Sequence, residues 1–286
     1  MNARRSLAFA AAASCVLCGC ASTADRSAAV GLASMLTESG APATPGQLRP
    51  LLRVTTPQSL PYRFGRLTYQ VAPDLSALHS ELEQNHPVLV QLRHRYVVLI
   101  DYVPLTNIMV VRAGHAKSQT LSAYDFAQQW ENSQRWAMLV LRPGDLPAEL
   151  SRQRYFDAAA AFERDARPES LALVFDAALR RWHDEPLAWA GRATAKLRAG
   201  NLIDAAHDYS TSLRIDGSNT GVRHELALTL LYLGCTHKAE RQIDKISLSA
   251  LQPAERALVE DSRGRIKARS QNLLAQEPPL CGQFSF

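Results

Sequence analysis

Residues 189–213 read WAGRATAKLRAGNLIDAAHDYSTSL, and this stretch decides the fold of the second half of the chain. The small residues Ala193 and Ala205 fall where the two helices of a hairpin would touch. Gly200 falls at the turn between them, where glycine commonly ends a helix. Tyr209 continues the apolar face of the second helix. The stretch therefore predicts two short antiparallel helices joined by a tight turn.

The same pattern returns at a spacing of 34 residues in both directions. Tyr155, Ala159, Leu171, Phe175 and Leu179 carry it in the earlier unit, and Ala227, Gly234, Ala239 and Ile243 carry it in the later one. A fixed period of this length is typical of stacked helical hairpins, because one hairpin cannot bury its apolar face alone. The chain is therefore expected to contain three consecutive hairpins.

On these residues, the segment 151–247 resembles the tetratricopeptide repeat. That repeat has an aromatic residue early in its first helix, a small residue four positions later, a turn glycine, and Ala then Tyr in its second helix. The sequence departs from this pattern at Ala166, which replaces the turn glycine of the first unit, and at Arg223, which replaces the aromatic residue of the third. An ordinary helical bundle is the alternative interpretation.

The composition is that of a folded chain without a nucleic-acid signature. The 286 residues allow two domains of ordinary size, and a hydrophobic content of 47% is typical of globular proteins. The formal net charge of +5 is modest and includes no block of Lys and Arg, so we expect no nucleic-acid partner. The sequence contains no Gly-rich phosphate loop, and its one C-x-x-C pair, Cys15 and Cys18, lies within the first twenty residues and outside the part expected to fold, so we expect no cofactor and no metal.

The first twenty residues, MNARRSLAFAAAASCVLCGC, have the features of an export signal. Arg4 and Arg5 precede an apolar core at residues 7–17, which is too short to span a bilayer as a helix. Residues 17–20, Leu-Cys-Gly-Cys, resemble the bacterial lipobox. This resemblance implies that Cys20 receives a diacylglycerol through its thiol. A plain secretory signal is the alternative.

The lipobox resemblance also implies a location. Ala21 follows Cys20, so the acidic residue that retains such lipoproteins at the inner membrane is missing. We therefore expect a lipid-anchored protein of the cell envelope, on the periplasmic face of the outer membrane, with an envelope protein or peptide as its partner. An oxidising compartment would permit a disulfide between Cys235 and Cys281. A buried, unpaired Cys235 at a helix turn is the alternative.

Between the signal and the repeats, the pattern predicts helices followed by a mostly sequential antiparallel set of strands. The helices are expected at 25–40, 47–53, 74–83 and 122–130, and the strands at 87–91, 96–102, 107–112 and 136–141. The segment Pro-Gly-Asp-Leu-Pro at 143–147 predicts the break between two domains.

This first segment resembles the bacteriocin-processing (double-glycine) cysteine peptidases, and in particular bacterial lipoproteins that fuse such a domain to tetratricopeptide repeats. The resemblance is carried by residues 32–36 (Leu-Ala-Ser-Met-Leu), 86–90 (His-Pro-Val-Leu-Val), 96–102 and 126–141. It implies an α+β papain-like domain followed by an all-α tetratricopeptide-repeat solenoid. The expected divisions are a signal peptide at 1–20, a degenerate peptidase-like domain at 21–146, three repeats at 147–252, a capping helix at 253–276 and a tail at 277–286.

The catalytic residues of such a peptidase are missing at the matching positions. Alignment on residues 32–36 places Ser27 at the nucleophile, Arg95 at the general base and Arg112 at the group that orients the base. An arginine stays protonated at working pH, so it cannot accept the proton of a hydroxyl. His94 lies one residue away, and a one-residue slip turns a strand side chain to the opposite face.

We therefore expect no enzymatic activity from the peptidase-like domain. One alternative is a residual peptidase or amidase that uses Ser27 with His94. Another is a pseudo-peptidase that captures a peptide without cleaving it.

The fifth and ninth positions of each repeat predict the partner-binding groove. These positions hold Phe156, Ala160, Ala190, Thr194, His224 and Leu228. Chaperone-binding members of the repeat family carry Lys and Asn there to clamp a terminal carboxylate. Because the residues here are mostly small or apolar, they favour an apolar helix or an extended peptide. The alternative is that the groove packs on the protein's own first domain.

Overall fold

The structure is a computed structural model that describes residues 23–114, 116–271 and 277–284. The predicted signal peptide and Cys20 lie outside the described residues. No helix in the described part of the chain is long and apolar enough to cross a membrane.

The first half of the chain contains four α-helices and six strands within its described residues. The helices are α1 (Thr23–Glu38), α2 (Pro45–Leu51), α3 (Leu75–Glu83) and α4 (Ala123–Glu131), and a 3-10 helix spans Leu60–Phe64. The strands are β1 (Leu67–Gln70), β2 (Val88–Leu92), β3 (Arg95–Val103), β4 (Ile108–Arg112), β5 (Gln119–Ser122) and β6 (Ala137–Leu141). The predicted elements are confirmed, and Asp74 caps α3 by accepting a hydrogen bond from the backbone N–H of Ser76. The short strands β1 and β5 were not predicted.

The described strands form one sheet in the order β1-β6-β2-β3-β4-β5, and every neighbouring pair is antiparallel. Strands β2 to β5 are sequential, as predicted. Strand β6 returns between β1 and β2, so the two unpredicted strands form the two edges. The first half is therefore an α+β domain built on an antiparallel sheet.

Both faces of this sheet are covered by helices. Leu32 and Leu36 of α1 pack on one face, in a cluster that includes Val98 of β3. The next residue, Leu99, belongs to the cluster on the other face, where Trp130 of α4 is buried. This alternation follows from the two-residue repeat of a strand. Because each face has its own core, α1 is held firmly against β3.

Three helical hairpins follow in the described residues of the second half. They pair α5 (Arg152–Glu163) with α6 (Pro168–Arg181), α7 (Pro186–Arg198) with α8 (Leu202–Ile215), and α9 (Thr220–Tyr232) with α10 (Thr236–Asp244). The first helices begin at residues 152, 186 and 220, and the second helices begin at 168, 202 and 236, which is the predicted period of 34. Gly200 and Gly234 occupy the two later turns with φ values of +85° and +81°. The predicted repeat of tetratricopeptide-like hairpins is confirmed.

A close helix contact and an ion-pair network join neighbouring hairpins. Gly191 of α7 lies against the ring of Phe175 in α6, and a Cβ atom at Gly191 would stand 2.1 Å from the ring Cζ. The guanidinium of Arg192 donates to both carboxylate oxygens of Asp208 at 2.7 and 2.9 Å and to Asp176 at 3.0 Å. These hydrogen bonds, first those to Asp208, raise the pKa of Arg192. The ion pairs therefore join α6, α7 and α8.

The predicted break at 143–147 does not separate two cores. Tyr155 and Phe162 of α5 are buried in the same cluster as Tyr69 of β1. The Tyr69 hydroxyl donates to the carbonyl of Glu149 at 2.9 Å and accepts from the backbone N–H of Ser151 at 3.0 Å. The first hairpin therefore completes the sheet domain. The prediction missed this because a Pro- and Gly-rich turn shows where the chain bends but does not show what packs across the bend.

The chain ends with a helix and a cross-linked tail. Helix α11 (Pro253–Ser270) packs on α10 and α9 at the position of the predicted cap, and residues 272–276 of the predicted range lie outside the described residues. Within the predicted tail, a 3-10 helix spans Pro279–Gln283. A disulfide joins Cys281 to Cys235, with 5.4 Å between their Cα atoms. The tail is therefore fixed to the turn between α9 and α10.

Candidate functional site

The hydroxyl of Ser27 serves to join two elements of the structure. Ser27 lies near the start of α1, beside the start of β3. Its Oγ donates to the carbonyl of Ala24 at 2.9 Å and accepts from the backbone N–H of Tyr96 at 3.0 Å. A serine nucleophile needs a base that takes its proton, and here the proton points to a backbone carbonyl, which is not basic.

Arg95 does not stand opposite Ser27 as the alignment predicted. Tyr96 belongs to the cluster on the α1 face of the sheet, and Val97 packs with the cluster on the other face. By strand alternation, Arg95 therefore lies on the face away from α1. The alignment assigned Arg95 to the α1 face from its position at the start of β3. The residue of β3 that faces α1 is Tyr96, one position later.

His94 is exposed in the turn between β2 and β3, and no hydrogen bond joins it to Ser27 among the described residues. The structure therefore does not assemble the alternative pair of Ser27 and His94. His115, a histidine in the turn after β4, lies outside the described residues.

Arg112 lies close to α1 but acts as a structural cation. Its guanidinium donates to the Ser34 Oγ at 3.0 Å and forms an ion pair with Glu38. Both partners belong to α1, so Arg112 fixes the end of β4 to this helix. Ser27, Arg95 and Arg112 are therefore not assembled into a catalytic site. Ser27 and Arg112 instead join α1 to the sheet.

Most side chains of the predicted groove are used in packing. Phe156 stacks on Trp182, with ring centroids 5.8 Å apart. The Thr194 and Tyr209 hydroxyls are hydrogen-bonded to each other at 3.0 Å. Burial raises the pKa of Tyr209, so this side chain remains neutral. Ala190 and Leu228 are partly buried, and Ala160 is exposed.

His224 is not part of an open groove. It is only 6% exposed, and its Nε2 lies 2.8 Å from the Ser262 Oγ of α11. Burial lowers the pKa of this imidazole, which the neighbouring Glu225 raises only in part. The prediction placed His224 on a surface because it treated the third hairpin as the end of the repeats. Helix α11 continues the stack and covers this position.

A cleft of about 560 Å³ lies between the later hairpins and the tail, and the sequence did not predict it. We call it the tail cleft. Its walls come from α8, α10 and the tail, and α9 supplies its floor. The residues that characterise it are Arg214, Arg223, Leu226, Gln242, Lys245 and Phe284. The period of 34 residues reveals nothing of this cleft, because one of its walls is the tail. The cysteine pair was the available signal that the tail folds back.

The tail cleft has a defined polar arrangement. Arg223 donates to the Gln242 Oε1 at 3.0 Å and to the carbonyl of Gly217 at 2.6 Å, so its guanidinium is fixed in place. Gln242 is 3% exposed. Phe284 is 1% exposed, and its ring lies 5.0 Å from that of His207. The cleft is therefore a rigid, preformed surface.

Metal ligands do not cluster in the described part of the chain, where no group of three His, Cys, Asp or Glu side chains is placed to hold an ion.

No protein-family model matches this chain, and no curated protein matches it. Among solved structures, the type III secretion translocator chaperone SycD of Yersinia enterocolitica is similar, with 20% sequence identity and a TM-score of 0.39. The match covers 43% of this chain and 88% of that chain. A similarity of this size carries no argument about partners or activity, which depend on this chain's own residues.

Proposed function

We propose that this protein is a lipid-anchored scaffold of the cell envelope that binds a partner protein or peptide and does not cleave it. Cys20 carries the lipid and holds the protein at the periplasmic face of the outer membrane. The sheet domain is a papain-like fold that has lost its catalytic residues. The helical hairpins supply the contacts with the partner.

The observation that carries this proposal is the bonding of Ser27. Its hydroxyl is occupied as a donor by Ala24 and as an acceptor by Tyr96. Arg112, which matches the orienting acid, is instead committed to Ser34 and Glu38. Without a nucleophile and a base, the domain cannot transfer the acyl group of a peptide.

The first helices of the hairpins support the binding role. Ala160 of α5 is exposed, and Leu187 at the start of α7 is 51% exposed. Tyr232 at the end of α9 is 57% exposed. An apolar peptide or helix would find contacts on these side chains. We therefore define the proposed binding surface by Ala160, Leu187 and Tyr232. Of the predicted groove residues, it keeps Ala160 and excludes His224.

The position of the anchor supports a role at the membrane. Helix α1 begins at Thr23, three residues after Cys20. Three residues of extended chain span at most about 11 Å. A lipidated Cys20 would thus hold the sheet domain directly at the bilayer surface, with the hairpins extending from it.

The proposal is tested by capture from envelope extracts with the detergent-solubilised full chain as bait. We expect the wild type to enrich an intact partner and the variant Ala160→Arg/Leu187→Arg to lose it. Leu258→Arg, at a 57% exposed position of α11, is the control that should keep the partner. Mass spectrometry identifies the captured proteins. No enrichment over empty resin, or the same enrichment with the double variant, would contradict the proposal.

A further inference from the structure

The tail cleft gathers positive charge that no described residue neutralises. Arg214, Arg223 and Lys245 line it, and no Asp or Glu of the described chain does. None of these three side chains forms an ion pair with a described residue. Elsewhere in the hairpins, Arg192 and Lys196 bind Asp208 at 2.7 Å. The cleft thus brings three cations together without a carboxylate of the described chain among its lining residues.

The cations lie next to apolar surface. Leu213, Leu226 and Phe284 line the cleft, and of these Leu213 is partly exposed while Leu226 and Phe284 are each 1% exposed, so Leu213 supplies the apolar surface beside the charged groups. A volume of about 560 Å³ is within the range of ligand-binding clefts and far exceeds the needs of an inorganic anion. The site therefore fits a ligand that has both carboxylates and apolar groups.

The wall formed by the tail is fastened at several points. The disulfide joins Cys281 to Cys235, and the Glu277 carboxylate accepts from the backbone N–H of His237 at 2.6 Å. Lys238 donates to the carbonyl of Phe284. The fastening keeps the cleft open in one shape, and a preformed site avoids the entropic cost of ordering on binding.

We propose that the tail cleft binds a peptide segment of a partner in which acidic side chains flank an apolar one. The carboxylates pair with Arg214, Arg223 and Lys245, and the apolar side chain lies on Leu213. This inference rests on the proposed scaffold function and names the chemistry of the partner. The guanidinium of Arg223, held by Gln242 and Gly217, is oriented to bind a carboxylate from within the cleft.

The test uses random octapeptides displayed on phage and the purified full chain in detergent. Peptides that bind are sequenced, and the affinity of the most enriched one is measured by fluorescence anisotropy. We expect an excess of Asp and Glu next to apolar residues. Replacing the acidic residues of that peptide by Asn and Gln should weaken binding by roughly tenfold or more, because the charge pairs are lost.

Two variants with the same change in net charge separate the cleft from the general charge of the protein. Arg214→Glu/Lys245→Glu should weaken binding by roughly tenfold or more, since like charges then face each other. Lys267→Glu/Arg269→Glu changes two exposed cations of α11 and should leave binding within about twofold. Urea unfolding checks that both variants fold.

Three outcomes would overturn the inference: no acidic excess among the selected peptides, undiminished binding by Arg214→Glu/Lys245→Glu, or binding that appears only after residues 285–286 are removed. The last result would make the chain's own end the occupant. Capture from envelope extracts distinguishes the two proposals. If Arg214→Glu/Lys245→Glu still captures the partner, the scaffold function is supported and the cleft is not the binding site. If no partner is captured, the scaffold function is contradicted, and the peptide affinities alone then test the cleft.

Discussion

Glu81 is a fully buried carboxylate that fastens the connection between the sheet domain and the hairpins. Its two oxygens accept from the backbone N–H groups of Ala148 and Glu149 at 3.0 and 3.1 Å. One oxygen also lies 2.9 Å from the Nδ1 of His86. A buried carboxylate with these partners stabilises the fold, and its loss leaves buried donors unsatisfied.

Replacing Glu81 by Gln should therefore destabilise the protein. The amide would direct its own N–H groups toward backbone donors, and we expect the free energy of unfolding to fall by about 2 kcal/mol. The control Glu83→Gln is on the same helix with a side chain 63% exposed, and its effect should stay within about 0.5 kcal/mol. Urea unfolding measures both. Equal losses in the two variants would show that Glu81 does not fasten the connection.

Gly191 permits the close contact of α6 and α7. Gly191→Ala would bring a methyl group to 2.1 Å from the Phe175 Cζ, so the ring or the helix must move. We expect the free energy of unfolding to fall by about 1–3 kcal/mol. A Cβ atom added at Gly264 of α11 would meet no atom of a neighbouring element within 4 Å, so Gly264→Ala should be neutral or stabilising, because alanine favours the helix. Thermal unfolding that ranks the two variants in the opposite order would contradict this account of the helix contact.

At the scale of elements, the helices and central strands could be predicted because local signals mark them. The period of 34 residues sets the first and last residues of the hairpins, and Pro168 and Pro186 occupy the first positions of α6 and α7. The central strands have five or more residues, most of them apolar. Strands β1 and β5 have four residues each and lie at the edges. Their existence depends on pairing with β6 and β4, which no short window of sequence contains.

Contacts between distant segments account for the other errors. His224 occupies a groove position in its own repeat, and only the placement of α11 buries it. Phe284 forms a wall of the tail cleft because Cys281 bonds to Cys235. The sequence therefore indicated where the hairpins begin and end, but it did not show which surface they leave open.

The contact of α9 with α11 should depend on pH through His224. Burial lowers the pKa of His224 below its ordinary value of 6.5, so the unfolded chain takes up a proton at a higher pH than the folded one. As the pH falls through that value, the unfolded state binds more protons and the free energy of unfolding decreases. Urea unfolding at pH 7.5 and 5.5 should therefore show a larger loss for the wild type than for His224→Gln. An identical loss in both would remove His224 from the pH dependence.

At the scale of the whole molecule, the sheet domain and the first hairpin form one structural unit. The cluster that contains Tyr69 also contains Tyr155, Phe162 and Leu171, and it extends to Ala195 in α7. Removing the hairpins would expose this apolar surface to water, which costs about 25 cal/mol per Å². The cluster thus crosses the domain boundary read from the sequence, so we expect that the parts on its two sides do not fold independently.

A chain of residues 21–146 should therefore fail to fold as a stable monomer. A chain of residues 21–217 keeps the whole cluster and should unfold cooperatively. Circular dichroism on heating compares the two. A cooperative transition of the shorter chain at the midpoint of the full chain would mean that α5 is dispensable to the sheet domain.

The scaffold is proposed to bind its partner without cutting it, and Ser27 tests this central claim most directly. A pool of peptides is incubated with the purified wild type and with Ser27→Ala, and new termini are counted by mass spectrometry. We predict the same pattern of uncut peptides in both. Cleavage by the wild type that disappears in Ser27→Ala would contradict the claim.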